Sequence, residues 1–343
     1  MAKIGEVLGV RIDNGVPATP PETWKTKECP YTGGGCDVTS NRSNMSYLEP
    51  PRNATSEERE TFTENYGPWG KPNFPFAICS VSTTRRSAEH QKPWIVCPKR
   101  MLDLKLPHSP IPPEIRELAP DIPTGSTVRL WWEVKFTHKE EHGSGHFEYT
   151  FDFLFAPIEK ENGKARFAGS PYAIEVMTAS TRGGGLTEHL WDALQCKPPR
   201  PLKGEIDSPY TPNYRQVFGR MLSQFFVKCE ALSQWGGRAI WLLQDELLEY
   251  IEESTNFSRE KFRGAEGPGT FVVYTMEDST SAYQLKHLET ITGPTRPSVD
   301  DRGQSFMTDM VGAGYVPPLN ALEEMLLIRP RAKAASNYRD LIW

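Results

Sequence analysis

The sequence predicts an α/β fold in which a mixed central sheet is flanked by helices and preceded by a loop-rich region carrying cysteines. Three observations predict it. Beyond about residue 128, short aromatic and β-branched runs alternate with helical patterns in an αβαβα order. Two of the runs, residues 147–155 and 172–178, each carry one acid in their middle, Asp152 and Glu175, among residues that belong inside. The first hundred residues are poor in periodicity, rich in Pro, Gly, Thr and Asn, and hold four of the six cysteines.

Composition bounds what such a chain can be. With 343 residues, 38% of them hydrophobic, it can bury a full core as one large domain or two. No run of eighteen apolar residues occurs and the N-terminus lacks the apolar core of a signal peptide, so a cytoplasmic protein that does not span a membrane is expected. Its cysteines are then reduced or bound to metal. A net charge of −5 leaves no general nucleic-acid footprint, and any DNA contact must be local.

Taken in order, residues 1–106 form the first predicted domain. Little apolar burial is available there, so something else should order it. Cys29, Cys36, Cys79 and Cys97 are the candidates, two of them in the matching pieces Cys29-Pro30-Tyr31 and Cys97-Pro98-Lys99. Four thiolates close a tetrahedral site for zinc or a single iron. The spacing, C-x6-C, 42 residues, then C-x17-C, lacks paired C-x-x-C knuckles and leaves ordinary buried cysteines as the other reading. Ser56 opens a short helix. Residues 82–91, with Arg85, Arg86 and His90, form a polar loop that is either solvated or in contact with DNA. A proline-dense linker, residues 107–123, encloses a short helix near residues 114–118 and sets the boundary to the second domain, residues 107–343.

In the second domain residues 128–136 read as a strand or the end of a helix, and periodicity does not decide between them. A charged turn through His138, Glu140, Glu141 and His142 leads into the Asp152 strand. Pro157 and Asn162-Gly163 are turn signals before the Glu175 strand. The run Thr181-Arg182-Gly183-Gly184-Gly185 is a flexible connector or a weak phosphate cradle, and Thr187 caps a helix after it. Residues 213–233 form a core helix with Val217, Met221, Phe225 and Cys229 on one face, and Cys196 and Cys229 read as core residues. A buried strand at 239–243, a helix at 245–253, a strand at 270–275 and an amphipathic stretch at 319–328 complete the order. Arg329, Arg331 and Lys333 make the end basic.

Desolvating an unpaired carboxylate costs several kcal/mol, so Asp152 and Glu175 need a cation, a basic partner or a metal. Two acids on adjacent strands, with a polar group two residues after the second, form the usual divalent-metal site of nucleases. Here that third position is Met177, whose thioether is a poor Mg²⁺ ligand and cannot orient a water. The other reading is a pair of acids bound to nearby arginines or facing solvent at a sheet edge.

These pieces together resemble the NotI-type restriction endonucleases over most of the chain. Four carry the resemblance in order: Cys29-Pro30 with Cys36; Ile78-Cys79-Ser80-Val81 through Cys97 to Asp103; Phe151-Asp152 with Ile174-Glu175-Val176-Met177-Thr178; and Val217-Phe218 through Lys228. The resemblance implies a homodimeric nuclease with a PD-(D/E)XK core, Mg²⁺ at its carboxylates and a separate structural iron on four cysteines in a region that helps read DNA. Carried over by position, Asp152 and Glu175 match the metal-binding acids and Cys29, Cys36, Cys79 and Cys97 the iron ligands, with iron against zinc left open by ligand type. A further active-site Glu upstream corresponds to Glu140 or Glu141, with Glu133 behind them. Met177 stands where the family has a glutamine.

The expected activity is therefore that of a type II site-specific endonuclease hydrolysing both strands of a palindromic duplex, one half-site per subunit, with Arg85, Arg86, Arg100 and Arg182 as candidate DNA contacts. A DNA-binding protein of the same fold with little or no cleavage is the alternative, for which Met177 is the ground. A cysteine-metal redox carrier is a third, disfavoured by the missing knuckles.

Overall fold

A computed structural model describes residues 2–12, 22–23, 28–31, 45–47, 55–57, 59–60, 75–83, 92–101, 111–141, 145–178, 181–182, 211–255, 257–262, 267–277, 283–293, 317–328 and 338–342. The chain divides into two compact units. Unit 1 comprises Met1–His108, Thr178–Val217 and Thr275–Lys286, and unit 2 comprises Ser109–Met177, Phe218–Tyr274 and His287–Trp343. Unit 1 thus draws on two later segments, which a linear division at residue 106 does not provide for.

The expectation that the first hundred residues lack periodic structure is corrected by unit 1. It holds an antiparallel sheet of β1 (Ala2–Val7), β2 (Val10–Arg11), β3 (Met45–Tyr47), β4 (Pro75–Thr83) and β5 (Lys92–Ile95), in the order β2-β1-β4-β3 with β5 also on β4. The central pairing, Ile4↔Val81 and Val7↔Ile78, joins residues far apart in the chain, and these four side chains are buried. Leu8 and Gly9, at φ 45° and 75°, form the two-residue turn between β1 and β2, where right-handed strand twist favours positive φ. A short helix, α1 (Pro98–Met101), follows β5. The helix predicted from Ser56 is present at residues 56–57 and 59–60.

Unit 2 contains an eight-stranded mixed sheet. It opens with the short helix α2 (Pro113–Arg116), within the proline-dense linker as predicted. Residues 128–136 prove to be strand, part of β6 (Thr127–Lys139), which forms a hairpin with β7 (His146–Glu161). Pro157 does not end β7, contrary to the turn expected there. The ladder to β9 (Tyr172–Val176) stops at Phe155, and that to β8 (Lys164–Phe167) begins at Ile158. Pro157 falls between them, where its missing N–H removes no bond on that side. The turn lies at Asn162-Gly163, both at positive φ.

After β9 come β10 (Thr181–Arg182) and β11 (Thr211–Pro212), a two-stranded antiparallel pair of unit 1. Next is the long helix α3 (Tyr214–Gln234). Asn213, taken from the sequence as the first helical residue, instead caps it, its Oδ1 accepting the Gln216 amide at 3.4 Å and its Nδ2 donating to Gln216 Oε1 at 2.7 Å. The strands β12 (Arg238–Gln244) and β13 (Gly269–Glu277) join β9 as a parallel core, with α4 (Asp245–Ser254) connecting them. Near-continuous apolar sequence in β9 and β12 fits strands covered on both faces.

Beyond them, β14 (Gln284–Gly293) and β15 (Tyr338–Ile342) complete the order β14-β13-β12-β9-β7-β6-β15, with β8 on β7. The amphipathic stretch is α5 (Leu319–Glu323) continued by a π-helical turn, Glu324–Ile328. Among the described residues no helix is long and apolar enough to cross a membrane. The glycine run after Arg182, the helix after Thr187, Cys196 and the basic residues 329–333 lie outside the described residues.

Candidate active site

Strand register brings the two acids together. β7 and β9 pair as Phe155↔Tyr172, Leu154↔Ala173 and Phe153↔Ile174, and one further step along that antiparallel register sets Asp152 opposite Glu175. The ladder itself ends there: the Val176 amide donates to Asp152 Oδ2 at 2.8 Å, so a side chain replaces the backbone acceptor. On the other side, Trp132↔Phe153 and Val134↔Phe151 leave Glu133 opposite Asp152. On the far side of Glu175 stands Trp241, itself paired with Phe271. Directly opposed residues share a sheet face, so Glu133, Asp152, Glu175, Trp241 and Phe271 form one row across five strands. Exposure falls along it from an exposed Glu133 through a half-buried Asp152 to a buried Glu175.

Helix α3 lies over this row. Phe225 packs on Trp241 and Phe271, with ring centroids 5.7 and 5.0 Å apart. One turn on, Lys228 points into the acids although its side chain is 1% exposed. Its Nζ donates to Glu175 Oε2 at 2.5 Å, to the Thr150 carbonyl at 2.7 Å and to Gln224 Oε1 at 3.3 Å. Three donors thus meet three acceptors. Glu175 Oε1, by contrast, is buried with no close hydrogen-bond partner among the described residues, although the Asp152 amide acts on the carboxylate as a donor.

The lysine does not neutralise the cluster. Burial first, then the charge of Asp152, push the Glu175 carboxyl up to about 8, against the pull of Lys228. Burial raises Asp152 as well, with Glu133 adding to it, while the Val176 amide, Lys228 and Arg220 act the other way. Two buried carboxyls whose charged forms are disfavoured by burial and by each other are donors that a divalent cation would stabilise in the charged form. Among the described residues no group of three or more His, Cys, Asp or Glu side chains is arranged to hold a metal by itself. Two carboxylates fit magnesium nonetheless, because it keeps several waters and takes remaining ligands from substrate phosphate.

The other predicted site residues fall in different places. Glu140 and Glu141 are exposed at the β6–β7 turn, where Glu140 Oε2 accepts the Gly145 amide at 3.3 Å. They lie seven and eight residues beyond Glu133, on the order of 20 Å at the strand rise of about 3.3 Å per residue. The acid beside Asp152 is therefore Glu133, and its φ of 53° marks a local distortion of β6 at that point. Met177 is half-buried and its amide continues the β12 ladder, donating to Leu242 O at 2.9 Å. Lys228 was missed in the sequence as a site residue, its one signal being a lysine within the apolar face of a core helix.

In unit 1, Cys29, Cys79 and Cys97 are all buried and in no disulfide, and Cys36 lies outside the described residues. The three are close enough to act on one another electrostatically. Burial pushes Cys79 up and its neighbours Cys97, Glu6 and Cys29 add to this, while the Gly9 amide, 3.3 Å from its Sγ, opposes it. Burial raises Cys97 too, against the Arg100 and Lys99 amides at the start of α1. The described residues thus show three buried cysteines near one another but no arrangement of three that holds a metal.

Arg100 is not a DNA contact. It is fully buried, its Nε 3.0 Å and its Nη2 3.3 Å from the Glu6 carboxylate, and it also donates to the Tyr283 carbonyl. A guanidinium locked in this way has no route to a phosphate. Arg85 and Arg86 lie outside the described residues, and Arg182 is in β10.

No protein-family model and no curated protein matches the chain. The class is defined by fold and site alone: a mixed α/β chain with a buried acid pair, a third acid and a lysine on one face of its sheet.

Proposed function

We propose that the chain is a divalent-cation-dependent nuclease of the PD-(D/E)XK kind, acting as a type II site-specific endonuclease on both strands of a palindromic duplex. The observation that carries this reading is the opposition of Asp152 and Glu175 on adjacent strands, with Glu133 opposite Asp152 on its other side. Asp152 and Glu175 would hold Mg²⁺, which supplies Lewis-acid stabilisation of the phosphate and a water of lowered pKa. Glu133, exposed at the open end of the row, would be the first of these acids to meet a water or hydrated ion. Trp241 and Phe225 close the other end and keep the acids out of bulk water, which strengthens every interaction inside. A homodimer on duplex DNA, each subunit reading one half-site, and a structural iron or zinc on Cys29, Cys36, Cys79 and Cys97 belong to the same reading. Met177, at the position where a polar group is needed, favours a second one: a DNA-binding protein of this fold that cuts little or not at all.

Incubating the full chain with randomised duplex DNA and Mg²⁺ and sequencing the ends tests this. New ends clustered at one short palindrome are expected. Intact duplexes, of which particular sequences are nevertheless retarded in a gel, would establish the binding reading in its place.

A further inference from the structure

We propose that the cleft at the start of β12 and β13 is a phosphate-binding site, separate from the acid row, that takes a small phosphomonoester of mononucleotide size. The inference goes beyond the nuclease reading and does not depend on it.

The cleft has a volume of about 430 Å³ and lies within unit 2. Small-ligand sites span about 300–1,000 Å³. Its walls are Ser233 and Gly236 at the end of α3, Arg238 at the start of β12, Gly267 and Pro268 before β13, and Thr292 of β14. No carboxylate lines it, and Arg238 is its charged group. Register sets where that arginine stands. Ile240, two residues along β12, pairs with Thr270, whose Oγ1 lies 3.3 Å from Thr292 Oγ1, so Arg238 and Thr292 share a sheet face. Trp241, three residues beyond Arg238, belongs to the other face with the acids. The two sites are therefore distinct.

Arg100, Arg129 and Arg259 each meet a carboxylate. The half-buried Arg238 does not: among the described residues its guanidinium has no hydrogen bond or ion pair. Asp121 is engaged instead by the hydroxyl of Tyr172, the residue paired with Arg238 on β9. A guanidinium that has lost part of its hydration and gained no partner is completed by an anion. A phosphomonoester brings terminal oxygens and up to about two negative charges, which suit an arginine fork flanked by the Ser233 and Thr292 hydroxyls. The walls at Gly236 and Gly267 carry no side chains, and they leave room for the body attached to the phosphate.

Isothermal titration calorimetry on the full-length chain, with a chelator to keep the acid row free of metal, tests this with adenosine 5′-monophosphate, inorganic phosphate and a short duplex as separate ligands. The mononucleotide is expected to bind, and more tightly than inorganic phosphate. Arg238→Gln is expected to weaken it by about tenfold or more, the scale of losing charge-assisted hydrogen bonds. Arg238→Lys should fall between the two, since it keeps the charge without the fork. Ser233→Ala, at an exposed position, should weaken binding about threefold and carries the test if the Arg238 variants do not fold. Mononucleotide binding that ignores all three substitutions, or a wild-type chain that binds neither mononucleotide nor phosphate, overturns the site. Inorganic phosphate bound as tightly as the mononucleotide overturns the size of the ligand. Binding of the duplex alone would make Arg238 a DNA-backbone contact and overturn the small-molecule site.

Discussion

Asp152 combines two tasks that a single substitution separates. Its Oδ2 accepts the Val176 amide where the β7–β9 ladder ends, and on the proposed reading its charge would help to hold a cation. Asparagine keeps a carbonyl oxygen for that amide and loses the charge. Asp152→Asn is thus expected to fold with an unchanged circular dichroism spectrum and melting curve while cleaving roughly a thousandfold more slowly, the scale of removing one electrostatic stabiliser from a reacting centre. Arg100 behaves in the opposite way. With Glu6 and the Tyr283 backbone it forms a closed buried network, the Tyr283 amide returning a bond to Glu6 Oε1 at 3.1 Å. Removing one partner leaves a buried charge without compensation, so Arg100→Met is expected to lower stability by about 3–5 kcal/mol in urea unfolding. Replacing Glu6 and Arg100 together by apolar residues of similar volume should recover much of that loss.

The elements were legible where their period was local. Alternating aromatics marked β7, the apolar runs marked β9 and β12, and the stripe through Val217, Met221 and Cys229 marked α3. The pairing of Asp152 with Glu175 followed from placing one acid in each of two neighbouring strands. Lys228 could not be read in the same way. On a helix face that also carries Met221, Cys229 and Leu232 a lysine passes for a stem buried with its head in water, and only the register of the sheet beneath it brings Glu175 to its Nζ. Glu133 was obscured for a related reason, since its relevance comes from lying opposite Asp152 and not from its own neighbours. The sheet of unit 1 depends on pairing between residues 2–7 and 78–83, and its strands carry Gly5, Ser80, Ser82 and Thr83, which weaken the apolar signal. Register also makes a prediction at this scale. The β9–β12 ladder starts at Arg238↔Tyr172, directly after Gly237, where a Cβ would run into the Pro171 carbonyl. Gly237→Ala is expected to lower the melting temperature through an overpacking strain of about 1–3 kcal/mol, read as a thermal shift of the whole chain.

At the scale of the whole molecule, charge decides how a polyanion can be bound. Asp and Glu exceed Lys and Arg by five, 44 against 39, so the chain as a whole repels DNA. On the proposed reading the opposition is stronger locally, because the phosphate would meet the row of Glu133, Asp152 and Glu175, and the buried Lys228 beside it is already engaged by three acceptors. A divalent ion reverses the sign of that approach: it cancels two negative charges and offers open coordination positions to phosphate oxygen. Binding of a matched duplex is therefore expected to depend on the ion even when no cutting occurs. In fluorescence anisotropy with Ca²⁺ present, affinity should rise by about tenfold or more over the same buffer with a chelator, the order expected when close like charges are neutralised. Asp152→Asn removes one repelling charge and one ligand at once, so its affinity should be higher than that of the wild type with chelator and gain little from Ca²⁺. Wild-type affinity that ignored Ca²⁺ would mean that the acid row lies away from the bound phosphate, and the chemistry would then have to be sought elsewhere on the chain.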